Sequence, residues 1–153
     1  MIKKIVIPLF FVAAALFLFF FLMDKTPLWS SDEGRYGEIS REMWETKNFI
    51  VPHFNYLPHL EKPALASALT ALSYSLFGVN DLSTRLITIL AALGTLLASY
   101  LFIRKIFCNR TAAFTVLVLM TTIGFVLVGR FAVIDMLMTF FLTMAIFCLA
   151  TAF

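Results

Sequence analysis

The sequence predicts an all-α integral membrane protein, on three observations: its composition, the length of its apolar runs and the placement of its charges. Of 153 residues, 61% are hydrophobic and only 14% are charged, values outside the range of soluble domains. Eighteen phenylalanines spread through long uncharged runs exceed what a water-soluble core can hide behind a polar surface. A cytosolic enzyme, a secreted disulfide scaffold and a disordered tail are excluded on this ground.

Four segments are long enough to cross a bilayer, at about 5–23, 86–103, 111–128 and 136–153. Each corresponds to roughly 27 Å of helix, close to the hydrocarbon thickness. The first follows Lys3 and Lys4 as a signal peptide would, but it is longer than the usual apolar region of one and no small-residue cleavage site follows, so it reads as an uncleaved anchor. The formal net charge of +3 does not indicate a nucleic-acid partner. Lys3 and Lys4 precede the first run, Arg104, Lys105 and Arg110 lie between later runs, and neither cluster contains an acid. Both therefore mark cytoplasmic ends, which places the N-terminus in the cytoplasm and Arg130 and Asp135 at the outer face. Cys108 and Cys148 fall at a cytoplasmic edge and inside an apolar helix, and read as packing residues.

Residues 24–82 form a long outer loop with eight acids (Asp24, Asp32, Glu33, Glu38, Glu42, Glu45, Glu61, Asp81) and five bases (Lys25, Arg35, Arg41, Lys47, Lys62). Two interfacial helices are expected in it, at about 31–46 and 63–77. In the first, Ser30 and Glu33 make a capping-box pattern, and Tyr36, Ile39, Met43 and Trp44 line one side at helical spacing. Glu38, Arg41, Glu42 and Glu45 fill the other side. The second is apolar but short, and includes Ser67, Ser73 and Ser75. Were it to cross, Arg104, Lys105 and Arg110 would lie outside, against the charge rule, so it lies in the interface and ends at Gly78 and Asn80.

Three clusters carry candidate chemistry. Asp32 and Glu33 sit at the mouth of the first span, with Arg35 and Tyr36 on the next turn, and Asp32 shares a face with Tyr36. A carboxylate there is suited to accept a proton from an attacking hydroxyl or amine, although acids at a helix N-terminus also suit the helix dipole. His59, Glu61, Lys62 and Pro63 precede the second interfacial helix. Lys62 is placed to neutralise a phosphate whose tail lies in the bilayer, or to snorkel at a helix start. His53, His59 and Glu61 could take a divalent metal, without the spacing of a metal motif. Arg130 and Asp135 flank two spans, either as a functional pair or as a structural lock. All three clusters come to the outer face, which suggests transfer chemistry on a polyprenyl-phosphate-linked substrate.

The string Ser31-Asp32-Glu33-Gly34-Arg35-Tyr36-Gly37-Glu38-Ile39-Ser40-Arg41-Glu42-Met43 resembles the first outer loop of bacterial GT-C membrane glycosyltransferases. Ile50-Val51-Pro52-His53-Phe54-Asn55 and Glu61-Lys62-Pro63 resemble the end of that loop, and Gly129-Arg130-Phe131 through Asp135-Met136-Leu137 resembles the second acidic loop. Within the wider protein-mannosyltransferase-like group, the chain resembles the aminoarabinose transferases that modify lipid A. All 153 residues are covered, but they match the N-terminal membrane module only, so the chain reads as truncated.

The resemblance implies a bacterial inner-membrane, multi-pass enzyme that takes a sugar from a polyprenyl-phosphate donor. It passes the sugar to a lipid or glycan acceptor at the periplasmic face, with inversion and without a nucleotide-sugar domain. By position it implies Asp32 as principal catalytic carboxylate, with Glu33 beside it and Asp135 as the second acid. Arg35, Tyr36, Lys62, Arg130 and His59 would line the substrate site, and Glu61 would be a candidate metal ligand; no other cofactor is implied. Two positions depart from the family pattern, His59 where an aromatic precedes the lysine and Ala64 where a second proline is usual. The remaining readings are a non-catalytic remnant, a membrane subunit that partners a separately encoded C-terminal half, and a transporter. The last is disfavoured because the acids gather in a loop and not at the bilayer midplane.

Overall fold

The computed structural model describes residues 2–23 and 25–152, with side chains from residue 11 onward. The side chains of Lys3 and Lys4, all of Asp24, and Phe153 at the expected end of the last span lie outside the described residues. The element order is α1 (Ile2–Phe20), α2 (Ser31–Thr46), β1 (His53–Phe54), β2 (Leu57–Pro58), α3 (Leu65–Phe77), α4 (Asp81–Ile106), α5 (Asn109–Thr121), α6 (Ile123–Arg130) and α7 (Ile134–Ala152).

Helix α4 is the axis, and α1, α3, α5, α6 and α7 all pack on it. It begins earlier than the apolar run suggests because Asn80 and Ser83 form a full capping box, each side chain bonding the other's backbone N–H. The earlier start brings Arg85 into the helix. Small residues then let neighbours approach closely, as in other membrane helix pairs. A Cβ on Gly94 would stand 2.7 Å from Phe140 of α7, and one on Gly129 would stand 2.6 Å from Phe19 of α1 and 3.0 Å from Ala92. The main core gathers Ala15, Phe19, Met23, Ile89, Ala92, Leu96, Val116, Met136 and Leu137.

Among the described residues, α4 and α7 are long and apolar enough to cross a membrane, and α5 with α6 makes a third candidate span. The continuous helix expected over 111–128 is instead bent by 68° between α5 and α6. The break falls at Thr122, where the backbone turns extended (ψ 111°). There the hydroxyls of Thr121 and Thr122 donate back to the carbonyls of Leu117 and Val118, a bonding pattern that often bends helices.

At one end of the bundle, α2 and α3 pack on each other around Ile39, Met43 and Ala71, and α3 packs on α4. Tyr74 joins all three helices, its hydroxyl 2.7 Å from the Thr84 hydroxyl and donating to the Gly37 carbonyl. Helix α2 has the expected bounds, but only half of the expected capping box forms. The Ser30 hydroxyl accepts from the Glu33 N–H, whereas the Glu33 carboxylate turns elsewhere. Glu42, expected on the solvated face, is buried and accepts from the Tyr56 N–H at 2.9 Å.

That bond supports a hairpin absent from the sequence-based expectation. Strands β1 and β2 pair His53 with Pro58 and Phe54 with Leu57. The two turn residues Asn55 and Tyr56 both have positive φ, 54° and 60°, the backbone of a type I′ turn. Asparagine tolerates that conformation; tyrosine needs outside support, which Glu42 supplies.

Candidate functional site

The site grows from the end of α1. Where the helix stops, carbonyls of its last turn and of the connection that follows have no helical partner, and two arginines from distant helices supply donors. Arg130, at the end of α6, donates to the carbonyls of Leu18 and Phe21. Arg85, in α4, donates to those of Met23, Thr26 (2.7 Å) and Pro27 (2.9 Å). Cations at a helix C-terminus also complement its dipole.

Arg85 grips Glu33 with the rest of its guanidinium, Nε to Oε1 at 2.9 Å and one terminal nitrogen to Oε2 at 3.1 Å. The two side chains are 2% and 0% exposed. Glu33 also accepts from the backbone N–H groups of Trp29 and Ala132, each at 2.9 Å. Burial by itself would raise the Glu33 carboxyl, but the bonds from Arg85, Ala132 and Trp29 outweigh it and hold the group below its ordinary value. One carboxylate thus ties together the α1–α2 connection, α4 and the segment between α6 and α7.

This arrangement separates the expected site residues into two sets. Glu33 and Arg130 are engaged in holding the backbone, and Arg130 makes no pair with Asp135. Asp32, next to the latch, keeps a half-exposed carboxylate paired with Arg35 at 2.8 Å. The Arg35 guanidinium stacks over the Tyr36 ring at 5.3 Å. Asp135 opens α7, exposed, and its carboxylate has no bonded partner among the described residues. Lys62 is likewise exposed with no partner among the described residues. His59 is half-buried, its ring edge-on to Phe54 and its Nε2 3.8 Å from the exposed Glu61 carboxylate. No group of three or more His, Cys, Asp or Glu among the described residues is placed to hold a metal. His53, His59 and Glu61 therefore do not assemble the divalent site they suggest as a string.

Arg85 is the residue that reading the sequence passes over. The signal was present, since a charged residue in the first turns of an apolar helix demands a partner, but its partner lies 52 positions away.

An apolar helical bundle with exposed acids and a lysine unpaired among the described residues, gathered on its connecting segments, defines a membrane protein with a polar end. The chain belongs to the dolichyl-phosphate-mannose-protein mannosyltransferase family, whose model matches residues 61–153. It is 35% identical over 142 residues to an undecaprenyl phosphate-alpha-4-amino-4-deoxy-L-arabinose arabinosyl transferase of Shewanella sediminis, a match covering 92% of this chain and 25% of that protein. The same-named protein of Aeromonas hydrophila is 36% identical over 145 residues, covering 93% and 25%. Among solved structures, ArnT from Cupriavidus metallidurans superposes with TM-scores of 0.84 in its apo state and 0.85 bound to undecaprenyl phosphate. Both matches are at 34% identity and cover 89% of this chain and 25% of that one. The chain thus spans about a quarter of the length of these relatives.

Proposed function

We propose that this chain is the N-terminal module of a bacterial inner-membrane glycosyltransferase that moves a sugar from a polyprenyl-phosphate donor to a lipid or glycan acceptor. In this reading α1, α4, the bent α5–α6 pair and α7 are four crossings, the N-terminus is cytoplasmic, and α2, the hairpin and α3 lie at the periplasmic face. The names of the relatives point to an undecaprenyl-phosphate-linked aminoarabinose as donor, and the solved relative with bound undecaprenyl phosphate supports a polyprenyl-phosphate site.

The observation that carries the proposal is the contrast between Glu33, closed in a fully bonded latch, and its neighbour Asp32, left open on the same helical turn. Rigid support for one acid and access for the next is what a general base requires. The acceptor hydroxyl or amine gives its proton to Asp32 as it attacks the anomeric carbon, and the bond from that carbon to the phosphate oxygen breaks. Lys62, with Arg35 nearby in sequence to Asp32, holds the charge of the departing polyprenyl phosphate. Asp135 serves as the second acid.

The test is transfer from a radiolabelled polyprenyl-phosphate sugar in membranes that carry the chain, alone or together with the complementary three quarters of a relative. Asp32→Asn should abolish transfer and leave insertion intact. Near-full transfer by that variant sinks the assignment. Transfer only when the complement is supplied identifies a module that needs the rest of the fold.

A further inference from the structure

We propose that the crevice enclosed by α2, α3, α4 and the α6–α7 connection is a subsite for the hydroxyl-bearing edge of the transferred sugar, an inference that rests on the glycosyltransferase reading. Tyr36, Ser67, Thr70 and Thr88 are among its lining residues. The last three are 6%, 9% and 6% exposed, yet none of their hydroxyls makes a hydrogen bond among the described residues. Several other helical hydroxyls nearby behave differently. Ser40, Ser75, Thr84 and Thr95 all turn back to the carbonyl four residues earlier, the common resting place for Ser and Thr in helices.

Ser67, Thr70 and Thr88 forgo that bond, and their oxygens are not among the sealed atoms that lack a partner, as that of Ser73 is. As lining residues of the crevice whose oxygens are neither bonded to described residues nor sealed, they are placed to meet its open space. Three nearly buried donors and acceptors facing one small space call for a hydrogen-bonding occupant.

The chemistry of that occupant follows from the lining. Apart from the Tyr36 phenol it contains no ionisable side chain, so it offers no countercharge to a phosphate or an ammonium and is matched to neutral hydroxyls, which its own hydroxyls can both donate to and accept from. The inner volume is about 20 Å³, enough for one water-sized group; a ring edge enters and the ring itself stays at the mouth. The position fits the proposed reaction. Tyr36 lies one helical turn after Asp32, and Ala132 and Ile134, also in the lining, bracket the approach to Asp135. The crevice thus lies between the two segments that carry the open acids.

The experiment measures binding to the 153-residue chain in lipid nanodiscs by calorimetry, with bare undecaprenyl phosphate and with the same lipid carrying a neutral pentose. The parent should bind the sugar-bearing lipid at least about ten-fold more tightly. Each of Ser67→Ala, Thr70→Val and Thr88→Val should reduce that preference by about five-fold, the worth of one neutral hydrogen bond. Affinity for the bare lipid should hold and report that each variant is folded. Thr95→Val, which removes a back-bonded hydroxyl from the same helix, should change neither affinity. Equal binding of the two lipids by the parent, or an undiminished preference in all three variants, overturns the subsite and leaves the glycosyltransferase reading standing. Failure of the parent to bind either lipid, both alone and together with the complementary three quarters of a relative, overturns both.

Discussion

Replacing Arg85 with methionine tests the latch that organises the site. The substitution keeps most of the side-chain volume but removes both charge-assisted bonds to a carboxylate that is 0% exposed. Glu33 would keep only the N–H groups of Trp29 and Ala132. Unpairing one member of a buried ion pair costs about 3–5 kcal/mol. The lost backbone bonds add less than their number suggests. Thr26 and Pro27 are exposed, so water replaces the donor at their carbonyls, whereas Met23 is sealed and its unpaired carbonyl adds about 1 kcal/mol. The expected loss is about 4–6 kcal/mol, a large share of the 5–15 kcal/mol that holds a typical domain together. Unfolding by dodecyl sulfate in mixed micelles, followed through Trp29 and Trp44, measures it. In a cycle with Glu33→Gln, the double variant should recover at least about 2 kcal/mol relative to the sum of the singles, because neutralising Glu33 removes the stranded charge. An Arg85→Met variant within about 1 kcal/mol of the parent, or additive behaviour in the cycle, would refute the latch.

The same carboxylate gives a pH dependence. Its folded value lies below the ordinary one, so its stabilising effect is complete above about 4.3, the unfolded glutamate value, and is lost as pH falls through the lowered folded value. Thermal midpoints in detergent should be flat from pH 7 to 5 and fall below about 4, and Glu33→Gln should blunt that fall; an identical acid fall in the variant would assign it to other groups. Gly129→Ala should destabilise by about 1–3 kcal/mol, because its Cβ meets the fully buried Phe19. Gly34→Ala, with nothing within 4 Å, should stabilise α2 by about 0.5–1 kcal/mol. Equal effects of the two on the melting temperature would contradict the close packing of α6 on α1. Lys62→Ala should change stability by less than about 0.5 kcal/mol and weaken undecaprenyl-phosphate binding by at least about ten-fold; unchanged affinity would remove Lys62 from the phosphate site.

The helical class, the bounds of α2 and the gathering of charged residues on the connections were legible in the amino-acid sequence. These are consequences of local chemistry. Apolar length sets a helix's capacity to span, Ser30 marks a start wherever it is placed, and charges avoid the interiors of apolar runs. It did not disclose the bend at Thr122, because two adjacent threonines do not show in hydropathy which carbonyls their hydroxyls will take. Nor did it disclose the hairpin, whose Tyr56 holds an unfavourable backbone only because Glu42 bonds it from another element. The division of the acids was decided by tertiary structure alone. Asp32 and Glu33 are adjacent and chemically alike, and the local features that differ, such as the bond from the Trp29 N–H to Glu33, do not by themselves bury either one. One becomes a buried anchor and the other an open carboxylate because Arg85, 52 residues along the chain, and the N–H of Ala132, 99 along, both reach the same side of α2.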